Sequence, residues 1–123
     1  MGVRQILLVE DELLVGYLLQ GMLLDLGWTV VGPAVRVDDA LDMLKHEHLD
    51  AALLDVNLNG EFSYPIADAL AQRGIPFMFS TGYERDRLLP SYRDHAYLQK
   101  PFHETELARV LSDLCPPDPP AAE

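Results

Sequence analysis

The feature that most restricts the fold is the run Ala51-Ala52-Leu53-Leu54-Asp55, continued by Val56-Asn57-Leu58-Asn59-Gly60. A short apolar run without polar alternation describes a strand buried on both faces, and such strands belong to parallel sheets covered by helices. Asp55 closes the run just ahead of an Asn/Gly turn. A carboxylate at the carboxyl end of a central strand stands where open α/β sheets bind ligands.

The flanking segments extend this pattern. Residues 3–9 form a second buried strand that runs into Glu10-Asp11-Glu12. Residues 12–26 lack proline, are rich in leucine and stop at Gly27, a residue suited to a helix C-terminus. This helix has too many apolar residues for one buried face. Leu14, Leu18 and Met22 make one stripe, Val15, Leu19, Leu23 and Leu26 another, and Leu13, Tyr17 and Leu24 fall on the remainder. It is either packed deeply or offers a partner surface.

Residues 28–34 read as a strand closing at Gly32-Pro33. Val37, Ala40, Leu41 and Leu44 then mark an amphipathic helix. A third helix covers residues 64–72, with Pro65 in its first turn and Gly74 at its end, and residues 76–81 form a fourth strand. Residues 84–90 are interrupted by Pro90, so a short or mobile fourth helix is expected there. Residues 96–99 make a fifth strand, and Leu107, Val110, Leu111 and Leu114 a last helix. The expected organisation is one domain over residues 1–115 and a proline-rich disordered tail over 116–123.

Five strands alternating with helices predict a flavodoxin-like, doubly wound parallel sheet of order 2-1-3-4-5, with helices on both faces. Its switch point lies between the first and third strands, where Glu10, Asp11 and Asp55 would converge. The formal charge of −11, from 20 acidic residues against nine Lys plus Arg, argues against nucleic-acid binding, which needs clustered cations. The single Cys115 suits a reducing compartment. No signal-peptide pattern precedes Arg4, and no apolar run nears the ~18 residues of a membrane span, so a soluble cytoplasmic protein is expected.

Three converging carboxylates repel one another unless a cation neutralises them. A hard divalent ion, Mg²⁺ or Mn²⁺, accepts such an oxygen donor set. Lys100, one of two lysines, stands at the end of the fifth strand and supplies a second positive charge. The cis isomer costs an X-Pro bond only ~0.5–1 kcal/mol, so Lys100-Pro101 is a candidate for it. Thr81 adds a hydroxyl at the end of the fourth strand. A carboxylate nucleophile, a metal, a lysine and a hydroxyl together suit a phosphoryl group, with an aspartyl phosphate at Asp55 as the product.

From residue 3 to about residue 114 the chain resembles the receiver domain of two-component response regulators. The resemblance rests on Glu10-Asp11, Asp55 with Gly60 beyond it, Thr81-Gly82, and Lys100-Pro101-Phe102, all in register. It implies that Asp55 is the phosphoacceptor, and that Glu10, Asp11, Asp55 and the backbone carbonyl of Asn57 hold the metal. Lys100 and Thr81 would contact the phosphoryl group, and Tyr97 would be the aromatic switch. Asn57 and Tyr83 occupy positions that tune phosphate lifetime. The implied partners are a histidine kinase or phosphotransfer protein and a downstream protein target; the apolar excess of the first helix adds the expectation that part of it contacts the kinase or a second subunit, as in a homodimer. Departures from the family pattern are the compact loop after Asp55, which lacks the usual proline, and the weak fourth helix. Phe77-Met78-Phe79-Ser80-Thr81-Gly82-Tyr83 is similar to a subgroup, often stand-alone, served by HWE-type and related kinases.

Plainer readings stand beside these. Asp55 alone would be a turn former and Asp11 a helix cap. His46 and His48 fit a solvated helix end, His95 and His103 the surface, and Cys115 a helix terminus. Competing functions are a phosphorylation-independent interaction module and an aspartyl-phosphate phosphohydrolase, although the latter usually needs a carboxylate where Asn57 stands. Flavin binding lacks a phosphate-cradling loop after the first strand.

Overall fold

The computed structural model describes residues 4–116. Five parallel strands form the central sheet: β1 (Gln5–Val9), β2 (Thr29–Ala34), β3 (Ala51–Leu54), β6 (Phe77–Thr81) and β7 (Tyr97–Gln99). Their spatial order is β2-β1-β3-β6-β7, which is the flavodoxin-like order with the switch point between β1 and β3. β3 pairs on both sides, Leu53 lying opposite Leu8 of β1 and Met78 of β6, and it is buried throughout because its side chains enter the cores on both faces of the sheet.

Four α-helices cover the sheet: α1 (Leu13–Asp25), α2 (Val37–His46), α3 (Tyr64–Gln72) and α4 (Glu104–Leu114). Alternation along the strands sends side chains to two cores. Leu7, Val9, Leu54 and Phe79 pack with Ala40 and Leu44 of α2 and Ile66 and Leu70 of α3. Ile6, Leu8, Leu53 and Met78 pack with Leu19 and Leu23 of α1 and Leu107 and Leu111 of α4. Gly32 (φ 105°) lies within β2 where its register against β1 shifts between Leu7 and Val9, and an added Cβ there would lie 2.7 Å from the Leu8 carbonyl oxygen.

Three features refine or correct the expectations. Among the described residues no α-helix lies between β6 and β7: two 3-10 turns, Arg85–Arg87 and Pro90–Tyr92, take its place. They are fastened by side chains to main chain, with Arg85 donating to the carbonyls of Arg93 and His95, and Leu89 N–H donating to the Tyr64 hydroxyl. The loop after Asp55 holds a small antiparallel hairpin, β4 (Asn57–Leu58) and β5 (Glu61–Phe62). Its turn is Asn59-Gly60, both at positive φ, as a two-residue hairpin requires. His95 is not a plain surface residue. It is half-buried, stacks on Phe77 with ring centroids 4.1 Å apart, and bonds the Phe77 carbonyl at 2.7 Å.

The apolar excess of the first helix is resolved by exposure. Leu19 and Leu23 are buried, whereas Leu13 (87% exposed), Leu14, Tyr17, Leu18 and Leu24 face outward. No described helix is long and apolar enough to cross a membrane. The expected tail beyond Pro116 lies outside the described residues, as does Val3 at the start of the expected first strand.

Candidate functional site at the carboxyl ends of the strands

Glu10 and Asp11 follow β1, and Asp55 follows β3. Strand pairing fixes their backbones: Asp55 N–H donates to the Val9 carbonyl at 2.9 Å and Glu10 N–H to the Ala34 carbonyl at 2.9 Å. One carboxylate oxygen from each of Glu10, Asp11 and Asp55 lies within 4.8 Å of the others. Glu10 is 2% exposed and Asp55 8%, while Asp11 is half-buried. Asp11 does not cap α1, whose N-cap is Glu12 without a side-chain bond. Its Oδ2 instead accepts the Asn59 N–H at 2.9 Å, which ties the hairpin turn to the acidic cluster.

Lys100 reaches this cluster from the end of β7, after which the Lys100-Pro101 peptide is cis. Its Nζ donates to Glu10 Oε1 at 2.5 Å and to Asp55 Oδ2 at 3.3 Å. Burial pushes the Glu10 carboxyl up to about 7, with the Asp55 charge adding and the Lys100 bond opposing. Burial also raises Asp55, against the Lys100 charge. Burial works to lower the Lys100 ammonium, but its bond to Glu10 and the two carboxylate charges prevail and raise it. One ammonium therefore serves carboxylates that burial has made reluctant to ionise.

Thr81 ends β6 and is buried. Its carbonyl accepts the Lys100 N–H at 2.8 Å, and its Oγ1 accepts the Tyr83 N–H at 3.2 Å. The Tyr83 hydroxyl accepts the Asn57 Nδ2 at 3.1 Å, and Asn57 Oδ1 accepts the Gly60 N–H at 2.6 Å. Tyr83 thus joins the Thr81 strand end to the loop after Asp55. Tyr97 sits further along the sheet edge, its hydroxyl donating to the Tyr83 carbonyl and its ring lying under the Arg85 guanidinium. The structure brings Glu10, Asp11, Asp55 and Lys100 directly together, with Asn57, Thr81 and Tyr83 as a connected wall. Sequence reasoning missed the Asn59 amide and Arg87, whose guanidinium lies 5.1 Å from the Tyr83 ring centroid. For Asn59 the Asn-Gly turn was the available signal.

A family model described as the response regulator receiver domain matches residues 6–112. The chain belongs to this family. The receiver fold is shared with SdrG of Sphingomonas melonis Fr1, whose solution structure superposes with a TM-score of 0.83 at 45% identity, over 93% of this chain and 98% of that one. A receiver domain of a Pseudomonas aeruginosa PAO1 sensor histidine kinase superposes with a TM-score of 0.76 at 26% identity, over 93% of this chain and 98% of that one. That structure has a magnesium ion coordinated in the active site cleft. Among curated relatives, the transcriptional regulatory protein PdtaR of Mycobacterium tuberculosis is 30% identical over 117 residues, covering 92% of this chain and 54% of PdtaR. This receiver domain therefore spans about half the length of the curated relatives it matches.

Proposed function

We propose that this receiver domain acts in two-component phosphorelay signalling by accepting a phosphoryl group on Asp55 from a histidine kinase or phosphotransfer protein. The observation that carries this reading is the buried contact of Lys100 with both Glu10 and Asp55 inside the three-carboxylate cluster. An all-oxygen donor set on two adjacent strand ends fits a hard divalent cation, Mg²⁺ or Mn²⁺, held by Glu10, Asp11, Asp55 and the Asn57 carbonyl. When bound, that ion would neutralise charge on the carboxylates and on the transferring phosphoryl oxygens.

The chain's own residues account for the rest. Asp55 attacks phosphorus through a carboxylate oxygen as the phosphohistidine nitrogen departs. Lys100, already 3.3 Å from Asp55, offers its ammonium to a phosphoryl oxygen. The Thr81 hydroxyl, now accepting from Tyr83, can turn to donate to another. The added charge of about −1.5 to −2 then biases the Thr81–Tyr83 wall, Tyr97, and a downstream protein target reached through them. Asn57 and Tyr83, bonded to each other over this site, set how long the phosphate lasts.

Intact-mass analysis after incubation with Mg²⁺ and acetyl phosphate tests the reading, followed by transfer from a phosphorylated kinase. A phosphoryl mass gain that requires both Mg²⁺ and Asp55, and is absent in Asp55→Asn, is the expected result. No gain from either donor would leave a phosphorylation-independent binding module.

A further inference from the structure

Two of the three arginines between β6 and β7 are engaged with main chain. Arg85 holds the carbonyls of Arg93 and His95, and Arg93 holds the Leu88 carbonyl. Arg87 is different. It is exposed, its guanidinium rests over the Tyr83 ring 5.1 Å from the centroid, and it has no hydrogen bond or ion pair to any described side chain. In a chain of formal charge −11, this cation has donors that no described group accepts.

Its position is fixed from both ends. The Arg87 N–H donates to the Glu84 carbonyl at 3.0 Å, closing the first 3-10 turn, and the next residue, Leu88, is buried in the core. The ring beneath the guanidinium is equally constrained. Tyr83 donates its N–H to Thr81 Oγ1 and accepts the Asn57 amide on its hydroxyl. The guanidinium is therefore one aromatic ring away from the residues that border Asp55. An exposed cation–π contact is weaker than a charge-assisted bond from guanidinium to phosphoryl oxygen, which is also bidentate in its best geometry.

We propose that Arg87 is a further phosphoryl-contacting residue, which turns from the Tyr83 ring onto the phosphoryl oxygens at Asp55 and draws the first 3-10 turn against the site. The inference rests on Asp55 being the phosphoacceptor. It adds a second cation to Lys100, carried by the segment that replaces the fourth helix, so that charge at Asp55 and placement of that segment become one event.

The test titrates the full chain, in saturating Mg²⁺, with beryllofluoride as a stable phosphoryl mimic and follows backbone amides by NMR. Wild type, Arg87→Gln, Arg87→Lys and Asp55→Asn are compared. Loss of one charge-assisted bond predicts about tenfold weaker beryllofluoride binding in Arg87→Gln. Arg87→Lys should fall between, since it keeps the charge and loses the planar fork. Amides of residues 84–89 should shift on binding in wild type and stay near their free positions in Arg87→Gln. Equal affinity of Arg87→Gln and wild type overturns the proposal. So does an equal loss in Arg87→Lys and Arg87→Gln with Tyr83 signals already displaced in the free variants, since Arg87 would then only prop the ring. Failure of wild type to respond, matching Asp55→Asn, would overturn the phosphoacceptor reading itself and this inference with it.

Discussion

Replacing Glu10 by Gln should change how stability depends on pH more than stability itself. The Glu10 carboxyl is pushed from 4.5 up to about 7 in the folded protein, chiefly by burial. A raised carboxyl means that the native state holds a proton which the unfolded chain releases. Its contribution is full below pH 4.5 and is lost as pH rises through about 7. A tenfold change in proton affinity is worth about 1.36 kcal/mol, so wild type without divalent metal should lose about 2–3 kcal/mol between pH 5 and pH 8 through this group, and Asp55 acts in the same direction. Gln keeps the size and can accept the Lys100 bond but does not titrate. Urea unfolding in chelator, at half-unit steps from pH 5 to pH 8, should show a falling curve for wild type and a much flatter one for Glu10→Gln. Mg²⁺ should flatten the wild-type curve at its alkaline end by replacing the proton. Parallel curves for the two proteins would refute the reasoning, because the proton would then reside elsewhere.

Gly32→Ala should cost at least ~2 kcal/mol in urea unfolding, since its Cβ would meet main-chain atoms at 2.7 Å and its φ is 105°. Tyr17→Glu, on the exposed face of α1, should leave unfolding within ~0.5 kcal/mol of wild type while impairing phosphotransfer from the kinase or self-association; no change in either would make the patch tolerated surface. Tyr92→Phe should remove the phenol that burial and Asp68 push up to about 12, visible as loss of the most alkaline step in an ultraviolet tyrosine titration.

The sheet was legible because its central strand β3 is a fully apolar run flanked by other largely apolar segments, and the site because the strand ends carry chemically distinct residues: Asp55, Thr81, Lys100. Strand order then followed from right-handed crossovers. Features set by pairing between distant segments were not legible. The Asn59 bond to Asp11 depends on where a two-residue turn lands against the other loop. The placement of His95 against Phe77 depends on an aromatic cluster that includes Tyr64, Phe79 and Tyr92 and becomes contiguous only after β6 and the 3-10 turns are in place. Likewise, Pro90 signalled a break in the fourth helix, but not that Arg85 and Tyr64 would take over the bonding of that segment. The outward face of α1 was detectable as an apolar excess, yet the full set of residues it comprises became definite only with the helix packed on the sheet.

Two 3-10 turns tethered by side chains respond differently from a helix. A helix surrenders its hydrogen-bond ladder cooperatively, so a switch built on one is close to all-or-none. Here the segment is held by separate fastenings, Arg85 to the carbonyls of Arg93 and His95, Arg93 to that of Leu88, and Tyr64 to the Leu89 amide, each of modest strength. They can be released one at a time, so the segment between β6 and β7 can pass through graded intermediate arrangements.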